Sequence, residues 1–373
     1  MKKAEKKSEL QIAADRVENL VRKANDKIYI LGQYTDRLYC ALNMLQRQFD
    51  TIRNIPSKQL AEYHSAKEIS SNWHTQVQAI EKDFKETAIC NLGGGVANVG
   101  LGVGIAAMGP TAAMGVATTF GVASTGTAIS SLSGAVATKA ALAWLGGGSL
   151  ATGGSGIAGG SAFLSMFGPI GWTIAGVALL GSGLLFWKTK SDKKKLENLF
   201  LKISKRDEKT YNLAIVELDE RTHRIIDETE KLNEGLLRIC TFGTNYNQMT
   251  EEQQLTLGSY VNLMKASTQL LVAPILGLLP KYSDDNLKEF LTNHSIQNYS
   301  IAESCHKRLI VSFANLLYRI NTNESERKLL SKSFRGNKDY LQKMDVTKAD
   351  ITPELFETVN RVLQYLYKQK KKD

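Results

Sequence analysis

The 373-residue chain is poor in the residues from which catalytic and metal centres are built. Its four cysteines, Cys40, Cys90, Cys240 and Cys305, lie far apart and form no CxxC pair. That excludes a zinc-ribbon pattern and the framework of a small disulfide-stapled domain, and it points to free thiols in a reducing compartment. The five histidines, His64, His74, His223, His294 and His306, are dispersed without an HxxxH or HExxH pair, and Cys305 with His306 has no second pair to complete a metal set. No GxxxxGK[ST] phosphate loop is present. GLGVG at 100–104 lacks both a strand–helix–strand setting and an acidic ribose ligand, and GGSG at 153–156 stops short of a nucleophile elbow. No segment carries a convincing strand pattern. These absences leave no catalytic residue, no cofactor and no metal to name, and a non-enzymatic protein is expected.

Charge is missing in one place above all. Between 88 and 187 the only formally charged side chain is Lys139, although the whole chain carries +10. Charges crowd both borders, with Glu81, Lys82, Asp83, Lys85 and Glu86 before and Lys188, Lys190, Lys193, Lys194 and Lys195 after. Ordinary soluble domains scatter their charges more evenly.

The run at 167–187, FGPIGWTIAGVALLGSGLLFW, is uncharged and bounded by aromatics. At about 1.5 Å per residue it is long enough to cross a hydrocarbon core of roughly 30 Å. Phe167, Ile170, Trp172, Ile174, Val177, Leu179, Leu180, Leu184, Leu185, Phe186 and Trp187 are the residues expected to enter lipid. The lysines that follow suit anionic headgroups or the cytoplasmic side. Elsewhere in the segment, Gly100 with Gly104 and Gly156 with Gly160 are spaced for close helix packing in a bilayer. In water each such glycine costs a helix about 1 kcal/mol relative to alanine. A flexible linker does not account for the interleaved Val, Ile, Leu, Met and Phe. Two crossings are favoured, 167–187 and a weaker partner within 96–122.

Amphipathic helices flank this segment. Leu10, Val17, Ala24, Leu31, Leu38, Leu45 and Ile52 recur every seven residues, joined by Ala14, Val21, Ile28, Leu42 and Phe49, with Thr35 the polar exception. This is a sustained coiled-coil seam, and Pro56 predicts its end at Asn54 or Ile55. A second helix is expected from 57 to about 87, capped by Ser57, with Ala66, Trp73, Val77, Ile80 and Phe84 on its seam. The short connection makes it the antiparallel partner of the first. A third, from about 192 to 240, carries Tyr211, Leu218, Ile225, Leu232 and Ile239, with Ile215 and Leu236 at the second position. Thr222 and Thr229 predict a wetter seam there, and Leu196, Leu199 and Ile203 are out of phase by one position, as in a stutter.

Shorter helices follow. Thr250 with Gln253 forms a capping-box signature. The apolar run at 269–280 is too short to cross a membrane and reads as a buried packing helix. Further helices are expected at 283–291, at 301–320, and after Thr352–Pro353. The fold expected is all-α: an elongated bundle of coiled-coil-like helices with an inserted Gly/Ala-rich membrane-competent segment. The divisions are 1–87, 88–187 and 188–373.

The two seams with an uncharged insertion between them resemble the layout of α-helical pore-forming toxins of the haemolysin E and haemolysin BL type. There is a weaker likeness to apolipoprotein L-like proteins. The resemblance implies a soluble bundle that releases an apolar hairpin into a bilayer and permeabilises it by oligomerisation, as a toxin or a cell-death or defence effector does. A constitutively membrane-anchored scaffold and a soluble helical adaptor are the alternatives. The expected partners are an anionic lipid bilayer and further copies of the chain in the membrane, with another protein able to dock through the coiled-coil seams. Nucleic acid, through the terminal lysines, is least favoured. The first residues, MKKAEKKSELQIAADRVEN, lack the apolar core of a secretory signal, so synthesis in the cytoplasm followed by membrane association is expected.

Overall fold

The computed structural model describes residues 8–92, 189–273, 275–278, 281–294, 304–338, 341 and 346–371. Among them the chain is all-α, and the only strand-like feature is an isolated bridge between Arg53 and Asn245. The helices are α1 (Glu9–Phe49), α2 (Ser57–Leu92), α3 (Lys190–Ile239), α4 (Glu251–Val272), α5 (Asp284–His294), α6 (Ser304–Leu317), α7 (Glu324–Gly336) and α8 (Pro353–Gln369).

The seven-residue seam of α1 is buried along its length, including Leu10, Val17, Ala24, Leu31, Leu38 and Leu45. So are Tyr211, Leu218, Ile225, Leu232 and Ile239 on α3. The two seams face each other, and α1 makes its broadest contact with α3. Val17 shares a small core cluster with Tyr211, Lys27 pairs with Asp219 at 2.6 Å, and Arg53 bridges Asn245. The two members of these pairs rise together in residue number, so α1 and α3 run parallel and in register, as equal heptad steps require.

The polar seam residues bond within their own helices. Thr35, Thr222 and Thr229 turn their hydroxyls back onto the carbonyls of Leu31, Leu218 and Ile225 at 2.6–2.8 Å. Each hydroxyl thus donates within its own helix; Thr35 is the most deeply buried of the three, and Thr229 on α3 is only partly buried.

Helix α1 stops at Phe49, earlier than proline alone predicted. Its last turn is held by α2: the Tyr63 hydroxyl lies 3.0 Å from the Gln46 carbonyl and 2.5 Å from Asp50 Oδ1, while Lys67 pairs with Asp50 at 2.6 Å. The chain then turns through Asn54 at φ 64° and exchanges backbone bonds between Arg53 and residues Thr244 and Tyr246. Helix α2 begins with Leu60 N–H donating to the Pro56 carbonyl, so Ser57 is its first residue rather than its cap, and it continues to Leu92.

Contacts of Asp50 with Tyr63, Gln46 with Ser70 and Tyr39 with Trp73 make α2 antiparallel to α1. Helix α4 also runs antiparallel to α3, through Arg238–Glu252 at one end and Arg221 to the Leu270 and Ala273 carbonyls at the other. Glu62–Lys265 joins α2 to α4. The four helices form an up–down–up–down bundle, with α2 and α4 descending while α1 and α3 rise.

A second core surrounds the start of α3. Leu196, Leu199, Phe200 and Ile203, with Leu10 of α1, pack against α5–α8. Phe313, Phe334 and Phe356 meet there with centroid separations of 4.5–6.3 Å. The phase shift read as a stutter is thus a change of partner: upstream of Tyr211, α3 turns a different stripe towards the C-terminal helices.

The caps follow the expected chemistry. Thr250 with Gln253 forms a complete capping box, and Thr352 caps α8 with Pro353 in its first turn. The apolar run at 269–280 is not one helix: α4 ends at Val272, and a 3-10 turn follows at Leu276–Leu278. By length and composition, Glu251–Leu278 is the one stretch among the described residues able to cross a membrane. Within it Leu257, Val261, Met264, Leu270 and Leu271 are buried against the bundle.

Candidate functional site

Helix directions fix where the central segment attaches. Helix α2 descends to Leu92 and α3 rises from Lys190, so the chain leaves and rejoins the bundle in the half that holds the start of α1. The expected membrane residues Phe167, Ile170, Trp172, Ile174, Val177, Leu179, Leu180, Leu184, Leu185, Phe186 and Trp187 lie outside the described residues, as do Gly100, Gly104, Gly156, Gly160 and Lys188.

The rest of the lysine border opens α3. Thr189 caps the helix by accepting from the Asp192 N–H at 3.1 Å. Lys190, Lys193 and Lys194 are exposed, while Lys195 is half-buried with Nζ 3.5 Å from Ser325 Oγ on α7. Lys193 pairs loosely with Glu197 at 3.8 Å. Cations in the first turns of a helix oppose its dipole by about 0.3–1 kcal/mol each at the surface. Helix stability therefore gives no reason to gather them here.

A second feature, not found from sequence, lies where the two cores meet. A cleft of about 230 Å³ is lined by Arg206, Asp207, Thr210, Leu213, Gly277, Lys281, Asn315, Tyr318 and Arg319. Arg206 is engaged on two sides. Its Nη1 donates to the carbonyls of Leu316 and Tyr318 at 2.8 and 2.7 Å, closing the end of α6, and its other nitrogens hold buried Asp207 at 2.7–2.8 Å. Asn315 spends both ends of its amide on the backbone of Lys281, Tyr282 and Val311. The Arg319 guanidinium and the Lys370 ammonium lie 5.4 and 5.6 Å from the centre of the Tyr318 ring.

The Lys281 ammonium has one long contact, 3.4 Å to the Leu276 carbonyl. Burial pushes its pKa below the ordinary lysine value; Tyr318 and Glu217 oppose the fall, and Lys370 and Arg319 add to it. These residues are spread over more than 160 positions of the chain and share no spacing, so no sequence signal joins them.

No group of His, Cys, Asp and Glu suited to a metal ion occurs among the described residues. Cys40 and Cys240 are exposed free thiols on α1 and just after α3. No family model, curated protein or solved structure matches the chain.

Proposed function

We propose that the protein is membrane-active: its segment at 88–187 enters a bilayer and, through association of several copies, permeabilises it, in the manner of a pore-forming toxin or a cell-death or defence effector. The observation that carries this reading is the uncharged, aromatic-bounded run at 167–187 inside a stretch with Lys139 as its single charge. Burying some twenty such residues in lipid yields tens of kcal/mol of gross transfer free energy at roughly 25 cal/mol per Å².

The direction of the helices supports it. A hairpin needs both of its ends on one side of the membrane, and Leu92 and Lys190 belong to helices that end and begin in the same half of the bundle. The exposed lysines at the start of α3 would meet anionic headgroups, at about 1 kcal/mol each. The coiled-coil seams of α1 and α3 are occupied by each other. Contacts between copies therefore fall to the Gly100/Gly104 and Gly156/Gly160 pairs rather than to those seams.

The test is dye release from anionic liposomes by the detergent-free full chain beside a 167–187 deletion. Release by the full chain alone supports the reading. Flotation with liposomes that needs 167–187 but brings no release would replace it with a constitutive anchor, and neither release nor flotation would leave a helical adaptor.

A further inference from the structure

The cleft between the two cores draws on four separate parts of the chain. Helix α3 supplies Arg206 and Thr210, the connection after α4 supplies Gly277 and Lys281, the end of α6 supplies Tyr318 and Arg319, and the end of α8 brings Lys370 to the same Tyr318 ring.

Arg206, Lys281 and Arg319 line this space, Lys370 reaches the same Tyr318 ring, and two carboxylates lie near it, each holding other groups. Asp207 is bound by Arg206, and Glu217 accepts the Leu276 and Gly277 N–H groups at 2.8 Å each. None of Lys281, Arg319 and Lys370 has a carboxylate within salt-bridge distance among the described residues. Their usual structural employment is also taken, because Arg206 already satisfies the end carbonyls of α6.

The half-buried Lys281 side chain has a single long contact, to a carbonyl, so its ammonium keeps donors free for an anion. Leu213 and Gly277 make one wall apolar, and Leu213 and the neighbouring Leu276 are largely exposed. The space therefore suits a small multivalent oxyanion carrying an apolar substituent.

We propose that this cleft binds a phosphate group, with Lys281, Arg319 and Lys370 as its ligands and the apolar wall receiving whatever the phosphate is attached to. A ligand held there ties α3 and the end of α4 to α6 and α8, so it also fastens the two cores together. The proposal stands independently of membrane permeabilisation.

The test is calorimetric titration of the purified full chain with inorganic phosphate and with dihexanoyl phosphatidic acid kept below its micelle concentration. Dihexanoyl phosphatidylcholine serves as a zwitterionic control. Thermal unfolding with each probe is followed in parallel, because a ligand of the folded state raises the midpoint. At least one phosphate probe is expected to bind, with at least a tenfold loss of affinity in Lys281→Gln/Arg319→Asn. A weaker loss is expected in Lys370→Gln, at an exposed position beyond α8 that leaves the fold untouched, and none in Lys194→Gln. Binding of phosphatidic acid alone assigns a lipid source, binding of inorganic phosphate alone a soluble one, and binding of both a phosphate group sufficient in itself. Absence of binding by either phosphate probe overturns the proposal. So does affinity unchanged in both the double variant and Lys370→Gln, or equal binding of the phosphatidylcholine control.

Discussion

Gly277 sits directly on the backbone of α3. A Cβ placed there would come within 2.8 Å of both Cα and Cβ of Ala214 and 3.2 Å of its nitrogen. Carbon atoms rest at about 3.5–4.0 Å, so Gly277→Ala must lift the 3-10 turn off the helix by most of an ångström. Overpacking of this kind costs about 1–3 kcal/mol. The same movement stretches the two 2.8 Å bonds from the Leu276 and Gly277 N–H groups to Glu217, and hydrogen bonds to a charged group are worth about 1.5–3 kcal/mol. Restricting the unfolded chain returns about 0.4–1 kcal/mol. The net expectation is a loss of about 2–4 kcal/mol, read as a lower urea midpoint by far-UV circular dichroism.

A double-mutant cycle identifies the cause. Glu217→Gln weakens the same two bonds, so it should cost at least about 1 kcal/mol less in the Gly277→Ala background than in the parent chain, as expected for residues sharing one network. A loss below about 0.5 kcal/mol in Gly277→Ala, the size of an ordinary surface substitution, would refute the close approach. Strict additivity in the cycle would refute the shared bonds.

Leu38→Ala, in the centre of the α1–α3 seam and fully buried, should cost about 2–5 kcal/mol in the same denaturation assay, whereas exposed Leu237→Ala should stay within about 0.5 kcal/mol. Arg206→Met removes the closure of α6 and the bound guanidinium from buried Asp207. The expected cost is about 3–5 kcal/mol, measured by urea unfolding, and a loss under 1 kcal/mol would refute it. Burial pushes the Asp350 carboxyl up, but the Thr347 N–H and hydroxyl, both 2.7 Å from Oδ2, with His306 nearby, hold it below its ordinary value. Its stabilising contribution is therefore complete above the ordinary carboxylate range and is lost as pH falls through the lowered value. A carboxyl carbon titration by NMR with its midpoint at or above that of a free aspartate would contradict this.

The long-range layout was legible wherever period and burial coincide. The heptads of α1 and α3 identified their buried faces residue by residue, because a seam that meets another seam leaves no freedom in phase. Caps were equally plain at Thr250 and Thr352, where a side-chain oxygen and an orphan N–H meet locally, whereas the Thr189 cap of α3 was missed. Helix α7 was overlooked although Asn323 with Glu326 makes a capping box, since the apolar stripe of Leu329, Leu330 and Phe334 behind it is short. The end of α1 depended on Tyr63, Lys67 and the Arg53–Asn245 bridge, none of them near in sequence. The inter-core cleft was invisible for the same reason: its cations meet only after four segments have packed.

The parallel register of α1 and α3 has a mechanical meaning. A pull on the chain at Thr189 acts along the axis of α3 and tries to slide that helix past α1. The layers from Val17 with Tyr211 onward then resist together, as rungs loaded sideways, rather than opening one after another. The bundle is a stiff handle for whatever the segment between Leu92 and Thr189 does, and force applied to that segment meets the strongest direction of the seam first.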